Sequence, residues 1–266
     1  MVKFDIQVNP GIKPWNVIAE AARAADDAGF RTFWTMDHLR GATMQAPTMP
    51  ECFTQLGAIA AITSRINIGP LVVNVGNRNA GLLANASATL QEVSNGRHIL
   101  GLGAGGGPNN AFAIERTTLG MVPPATMRER HAVLSAALDQ FDAMWSPQRD
   151  SKFDTYPLPD PRPEIVIGVN SASLAMLAGE RANGVNIRAT SEVCDVALTT
   201  AIEAHKNSGR TDSFHVSVWD FFSEDLLSGK DPRLDHWVDI GVNTIILLMF
   251  NDIDVQAIAR CEKWLR

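Results

Sequence analysis

Residues 33–39 read FWTMDHL, an apolar run that stops on an acid and an imidazole, Asp37 and His38. An imidazole with a carboxylate beside it can exchange a proton near neutral pH or hold a polar group in place. A second stretch, GLGAGGGPNN (101–110), carries glycines at 101, 103, 105, 106 and 107. Glycines in such number let the backbone approach a ligand and offer N–H groups to an anion. A third, GVNSASLAMLAGERANG (168–184), has Asn170 or Ser171 placed to cap a helix beginning near Ala172. A helix N-terminus is also a natural anion site. Each has a plainer reading: a hydrogen-bonded pair fixing a strand end, a flexible turn, and a simple N-cap. The glycine spacing is neither the G-x-G-x-x-G dinucleotide fingerprint nor a P-loop, since no Gly-Lys-Ser/Thr follows.

Whether these groups meet depends on the elements that carry them. Short apolar or β-branched runs occur at 3–8, 32–36, 66–73, 98–103, 164–169, 184–187, 215–220 and 243–249. Segments of helical spacing separate them. One starts at Trp15, with Pro14 before it and Gly29 after its end; others run from Phe53 to Ile62 and from Leu82 to Val93. A fourth opens on the capping box Thr126-x-x-Glu129 and stops at Ser146-Pro147. Eight strands alternating with helices in 266 residues predict an α/β chain closed as a (β/α)8 TIM barrel spanning 1–266. A doubly wound open sheet is the alternative, but it has no need of an eighth unit. The irregular 146–163 stretch, with Pro147, Pro157, Pro159, Pro161 and Pro163, reads as an excursion before the fifth strand.

In such a barrel chemistry sits at the C-terminal strand ends. That places Asp37 and His38 on the active rim and puts His98 and His215, which begin strands, on the opposite one. With one histidine of six on that rim, a metal hydrolase loses ground, and no metal site is expected. No lysine ends a predicted strand, which weakens a Schiff-base aldolase. Arg188 follows the sixth strand, Asp220 ends the seventh and Arg78 follows the third; each suits a salt bridge or a cap as well as a ligand. Trp34 and Trp145 read as core. The net charge of −6 leaves no footprint for nucleic acid or anionic membrane. Absence of a spanning stretch, a signal-peptide pattern or a cysteine framework (Cys52, Cys194, Cys261) leads to an expected cytoplasmic location.

Five pieces, in order, resemble the luciferase-like flavin and deazaflavin oxidoreductases. They are AGFRTFWTMDHL (28–39), TSRINIG (63–69), LLANASATLQEVSNGRHILGLGAGGG (82–107), RERHAVLSAALDQFDAMWS (128–146) and EIVIGVNSASLAMLAGERANGVNI (164–187). The Asp-His pair and the glycine run bring the branch using coenzyme F420 nearest. The resemblance implies a barrel that moves hydride between F420 and a small-molecule substrate, with His38 and Asp37 beside the ring. Leu71 and Val72 match a strand end where the family often has a bulge or non-prolyl cis peptide behind the ring, and Asn74 would donate to the ring's polar edge. Gly103, Gly105, Gly106, Gly107 and Asn109, with Gly168, Val169, Asn170 and Ser171, would hold the cofactor tail. Two alternatives stand beside this: an FMN-dependent monooxygenase supplied by a flavin reductase, with 108–125 as its lid, and a non-catalytic cofactor-binding protein. The family commonly forms homodimers, and the 82–93 helix face is one candidate surface. The sequence departs from the family at Gly106, where some sugar-phosphate dehydrogenases carry a glutamate. It departs again at Asn170-Ser171, where a Gly-Gly pair is common, at Gly81, where proline is frequent, and in lacking the monooxygenase branch's thiol.

Overall fold

The computed structural model describes residues 2–265. All strand pairings are parallel, and the strands follow chain order around the ring. They are β1 (Lys3–Val8), β2 (Thr32–Thr35), β3 (Asn67–Pro70), β4 (Val73–Asn74), β5 (Ile99–Gly103), β6 (Glu164–Gly168), β7 (Gly184–Arg188), β8 (His215–Phe221) and β9 (Thr244–Met249). The connecting helices begin with α1 (Trp15–Ala28), α2 (Cys52–Ile62), α3 (Ala80–Val93), the short α4 (Ala113–Thr118), α5 (Met127–Trp145), α6 (Ala172–Arg181) and α7 (Cys194–Asn207). Among the described residues nine strands stand where eight were expected, because the third, read as continuous over 66–73, is broken at Leu71-Val72 into β3 and β4. β3 pairs with β2 and β4 with β5, while a bridge from Ile68 to His98 joins β3 directly to β5 and completes the (β/α)8 barrel.

That closure has identifiable supports. At Gly69 a Cβ would sit 2.0 Å from the Ile99 carbonyl oxygen and 2.8 Å from the Trp34 ring; at Gly101 it would sit 2.1 Å from the Pro70 carbonyl. Both strands therefore need glycine to come this close. Below the bridge, Arg97 donates to the carbonyls of Ala60, Thr63 and Ile66. Asp26 on α1 accepts from the backbone N–H groups of Ser64, Arg65 and Ile66. Although burial opposes its charge, those three hydrogen bonds hold the Asp26 carboxyl below its ordinary value.

Inside the ring, Trp34 packs with Leu71, Ile99, Val166 and Ile246, and its indole N–H donates to Asp5 at 2.9 Å. Outside it, the helices bury their apolar stripes on the strands: Ile18, Ala22 and Ala25 of α1, and Leu134, Leu138 and Phe141 of α5. The Thr126–Glu129 capping box is formed at both bonds. The 146–163 excursion carries one short turn, Ser151–Phe153, and is gathered by Arg149, which donates to four backbone carbonyls.

Trp34 has no accessible surface and Trp15 is 43% exposed. Trp34→Ala is expected to lower unfolding free energy by about 3–5 kcal/mol, as for other aromatic truncations in cores. Trp15→Ala should cost under about 1 kcal/mol. Chemical denaturation of the two variants measures the difference, and equal losses would refute the interior placement of Trp34.

Candidate active site

A cavity of about 910 Å³ opens at the C-terminal ends of the strands. Its wall on one side is Val72. The Leu71–Val72 peptide is cis, the Leu71 N–H donates to the Thr35 carbonyl at 2.8 Å, and Gln7 Nε2 donates to the Leu71 carbonyl at 2.7 Å. Val72 then fills the space that two glycines leave: a Cβ at Gly103 would lie 2.7 Å from its Cγ2, and one at Gly168 3.0 Å from its Cγ1. Three elements thus converge on one apolar face.

The residues expected to hold a ligand fall into two groups. His38, Leu71, Val72, Gly103, Gly105, Gly106, Gly168, Val169 and Asn170 all line the cavity. Asp37, Asn74, Gly107, Asn109 and Ser171 are not among its lining. Asp37 is buried with its two oxygens 2.5 and 2.7 Å from the Arg78 guanidinium, which also reaches Glu51 at 2.8 Å. Burial works against the Arg78 cation, yet the hydrogen bonds to Asp37 and Glu51 hold it above its ordinary value. Asp37 therefore ties the loop after β4 to the segment following β2 and does not line the cavity. Asn74 accepts from the Gly76 N–H and lies beneath Gly105, whose added Cβ would meet its Oδ1 at 2.4 Å. Gly107 sits against Arg130, and Asn110, not Asn109, turns toward the cavity. Ser171 caps α6, accepting from the Leu174 N–H at 3.4 Å. Asp220 pairs with Arg233 at 2.6 Å, outside the cavity.

His38 has a partner that sequence reading did not identify. Its Nδ1 lies 3.0 Å from Oε1 of Glu115, on α4 in the loop segment after β5. Glu115 is 4% exposed and also accepts from the Leu39 N–H and the Thr43 hydroxyl. Burial pushes its carboxyl up, but the hydrogen bonds from His38, Thr43 and Leu39 outweigh this and hold it below its ordinary value. The ionised carboxylate accepts, so Nδ1 carries a proton and donates. Nε2 is left without a protein partner among the described residues, and Phe112 packs on the ring at 5.0 Å. Arg116, next along α4, donates to the Gly76 carbonyl at 2.8 Å. The AIERTT sequence of α4 offered no local signal for this pair, because its partner lies 77 residues away.

Further lining comes from the later strands, Asn186 and Arg188 of β7, Trp219 and Phe221 of β8, and Leu248 of β9 with Phe250 beyond it, and from Gln7 of β1 and Met36, Thr43 and Met44 after β2. At the opposite rim, burial and the neighbouring Arg31 cation push His215 well below its ordinary pKa, and burial lowers His98 to about 4. Both are neutral structural groups.

The sequence model of the family described as luciferase-like monooxygenase matches residues 1–218. Over 207 residues, 73% of this chain and 59% of the relative, the sequence is 30% identical to F420-dependent glucose-6-phosphate dehydrogenase of Nakamurella multipartita. It is 26% identical over 248 residues to 5,10-methylenetetrahydromethanopterin reductase of Methanopyrus kandleri, covering 84% of this chain and 66% of that one. The chain thus spans less than two thirds of the length of these curated relatives. In fold it is similar to an F420-dependent secondary alcohol dehydrogenase in complex with an F420-acetone adduct: TM-score 0.81 at 16% identity, covering 100% and 99% of the two chains.

Because Glu115 holds protons more weakly when folded than when unfolded, its pairing stabilises the fold above its ordinary pKa of 4.5. That contribution is lost as pH falls through the lower, folded value. Limited proteolysis of the 106–125 segment should therefore rise as pH drops below about 4.5. Glu115→Gln should show raised cleavage already at neutral pH, without the acid step; a variant as resistant as the parent would remove the anchoring role.

Proposed function

Since the chain belongs to the luciferase-like monooxygenase family, we propose that it binds coenzyme F420 in this cavity and transfers hydride between that cofactor and a small organic molecule. The observation that carries the reading is the Val72 wall set into the gaps at Gly103 and Gly168, with His38 on the same cavity. A flat ring system needs such an apolar backing, and an anionic tail needs backbone N–H donors. The Gly105-Gly106 turn and the start of α6 at Ser171 supply candidates for the second task. The relative and the solved structure named for F420 dependence support the same cofactor.

Bound, the deazaflavin ring would supply the carbon that gives or accepts hydride. The protein's share is positional and protic. Glu115 holds the His38 ring by Nδ1, so Nε2 is the atom presented to a substrate oxygen. There the imidazole donates a hydrogen bond when protonated, or takes a proton when neutral. Phe112 packs on the ring, while Trp219, Phe221 and Phe250 give the same space an apolar lining. In this reading Asp37 acts through Arg78 as an anchor, and Glu115 takes the acidic role beside the imidazole. Glu115 does not replace the glutamate missing at Gly106: it is held ionised and lies outside the cavity lining, so it reaches the site only through His38.

An FMN-dependent monooxygenase is the second reading, favoured by the placement of Phe112 and α4 over His38, a cover on the cavity from the 108–125 segment. Fluorescence-quenching titration with oxidised F420 and, separately, FMN distinguishes the two; the expected outcome is preference for F420, and a wide preference for FMN would reverse the assignment. His38→Ala is expected to slow single-turnover oxidation of reduced F420 by a panel of small ketones and aldehydes about 10²–10⁴-fold, the range for loss of a positioned acid or base. F420 affinity should change little, and an undiminished rate would remove His38 from the chemistry.

A further inference from the structure

The cavity's charge is one-sided. Among its lining residues there is no carboxylate and no lysine, and the one permanent charge is Arg188 at the end of β7. Three other arginines sit against carboxylates, Arg78 on Asp37, Arg181 on Asp139 and Arg233 on Asp231, none farther than 2.8 Å, and Arg97, Arg116 and Arg149 are taken up by backbone carbonyls. Arg188 has no carboxylate partner among the described residues. Its guanidinium instead lies over the Trp219 ring, 5.2 Å from the centroid. A guanidinium spread on an indole keeps its edge N–H donors free and loses less freedom when a ligand arrives. In a protein of net charge −6, this is a local positive site without an internal counter-ion.

Two ligands could bring the missing negative charge: the cofactor's anionic tail or the substrate. The proposed tail corner is formed by the ends of β5 and β6 and the start of α6, where backbone N–H groups serve as donors. Arg188 leans the other way, onto β8, toward the side lined by Trp219, Phe221, Leu248 and Phe250. We propose that the substrate is an organic anion, a carboxylate on an apolar or aromatic body, whose charged group is fixed by Arg188 while its body lies against these β8 and β9 side chains. The proposal rests on the hydride-transfer reading for the word substrate, but the anion site itself can be tested without cofactor.

The probes are benzoate and benzamide, which share a shape and differ in charge, titrated into the full chain and followed by tryptophan fluorescence. Benzoate is expected to bind about tenfold more tightly than benzamide, the scale of one charge-assisted hydrogen-bonded contact. Arg188→Ala should abolish that preference, and Arg188→Lys, which keeps the charge without the fork, should retain part of it. F420 affinity, titrated in parallel, should stay within about twofold in both variants if the cofactor tail does not use this residue. Equal binding of the two probes by the parent, or a preference that survives Arg188→Ala, would overturn the anion site. A loss of F420 affinity of about tenfold or more in Arg188→Ala would overturn the substrate assignment and give the guanidinium to the cofactor tail. If F420 fails to bind while the benzoate preference holds, the anion site stands and the hydride-transfer reading falls.

Discussion

The site depends on a close approach that side chains would forbid. β3 and β5 come near enough to share a bridge because Gly69 and Gly101 present no Cβ to the opposing carbonyls. The third strand then breaks instead of running on, and the break delivers Leu71 and Val72 to the barrel mouth. One turn higher the same device recurs: Gly103 and Gly168 leave the volume that Val72 occupies. Steric permission at four glycines thus converts a parallel sheet into a barrel with one flat apolar wall.

Around that wall the charged groups are sorted by burial. Asp37 and Glu115 are both buried acids near His38, yet they do different work. Asp37 is consumed by a bidentate guanidinium and ties the loop after β4 to β2. Glu115 accepts three hydrogen bonds, one of them from the imidazole, and so sets which ring nitrogen faces the cavity. A buried carboxylate left without such donors would be protonated, since desolvation penalises its charge. The donors therefore preserve the negative charge that orients His38.

The segment that supplies Glu115 also carries Phe112 and Arg116, so one short helix touches the imidazole, its ring face and the turn after β4. Several neighbours on that segment, among them Ile114, Leu119 and Val122, are exposed apolar side chains. Its attachment therefore relies on a few polar contacts more than on buried area. Packing of this kind is compatible with a cover that opens, because local stability follows buried contact. The carboxylate of the His38 dyad and the Phe112 ring on the cavity thus come from one segment.

Periodicity and punctuation alone determined the alternation of strands and helices, the capping box at Thr126 and Glu129, and the rim on which His38 stands, because these follow from local spacing and from the direction of parallel strands. The glycine run at 101–107 and the 168–170 turn were legible for the same reason: residues lacking side chains advertise close backbone approach. Resemblance, not periodicity, suggested the irregularity at Leu71-Val72. Tertiary structure decided the partners. Asp37 adjoins His38 in sequence but faces Arg78, in the irregular segment just past β2, where no regular period sets the direction of a side chain. Glu115, Trp219 and Gln7 reach the site from distant positions, through a ring closure that no local window of sequence contains. Side-chain pairing across the barrel depends on which strands become neighbours, and that was settled only when the ring closed.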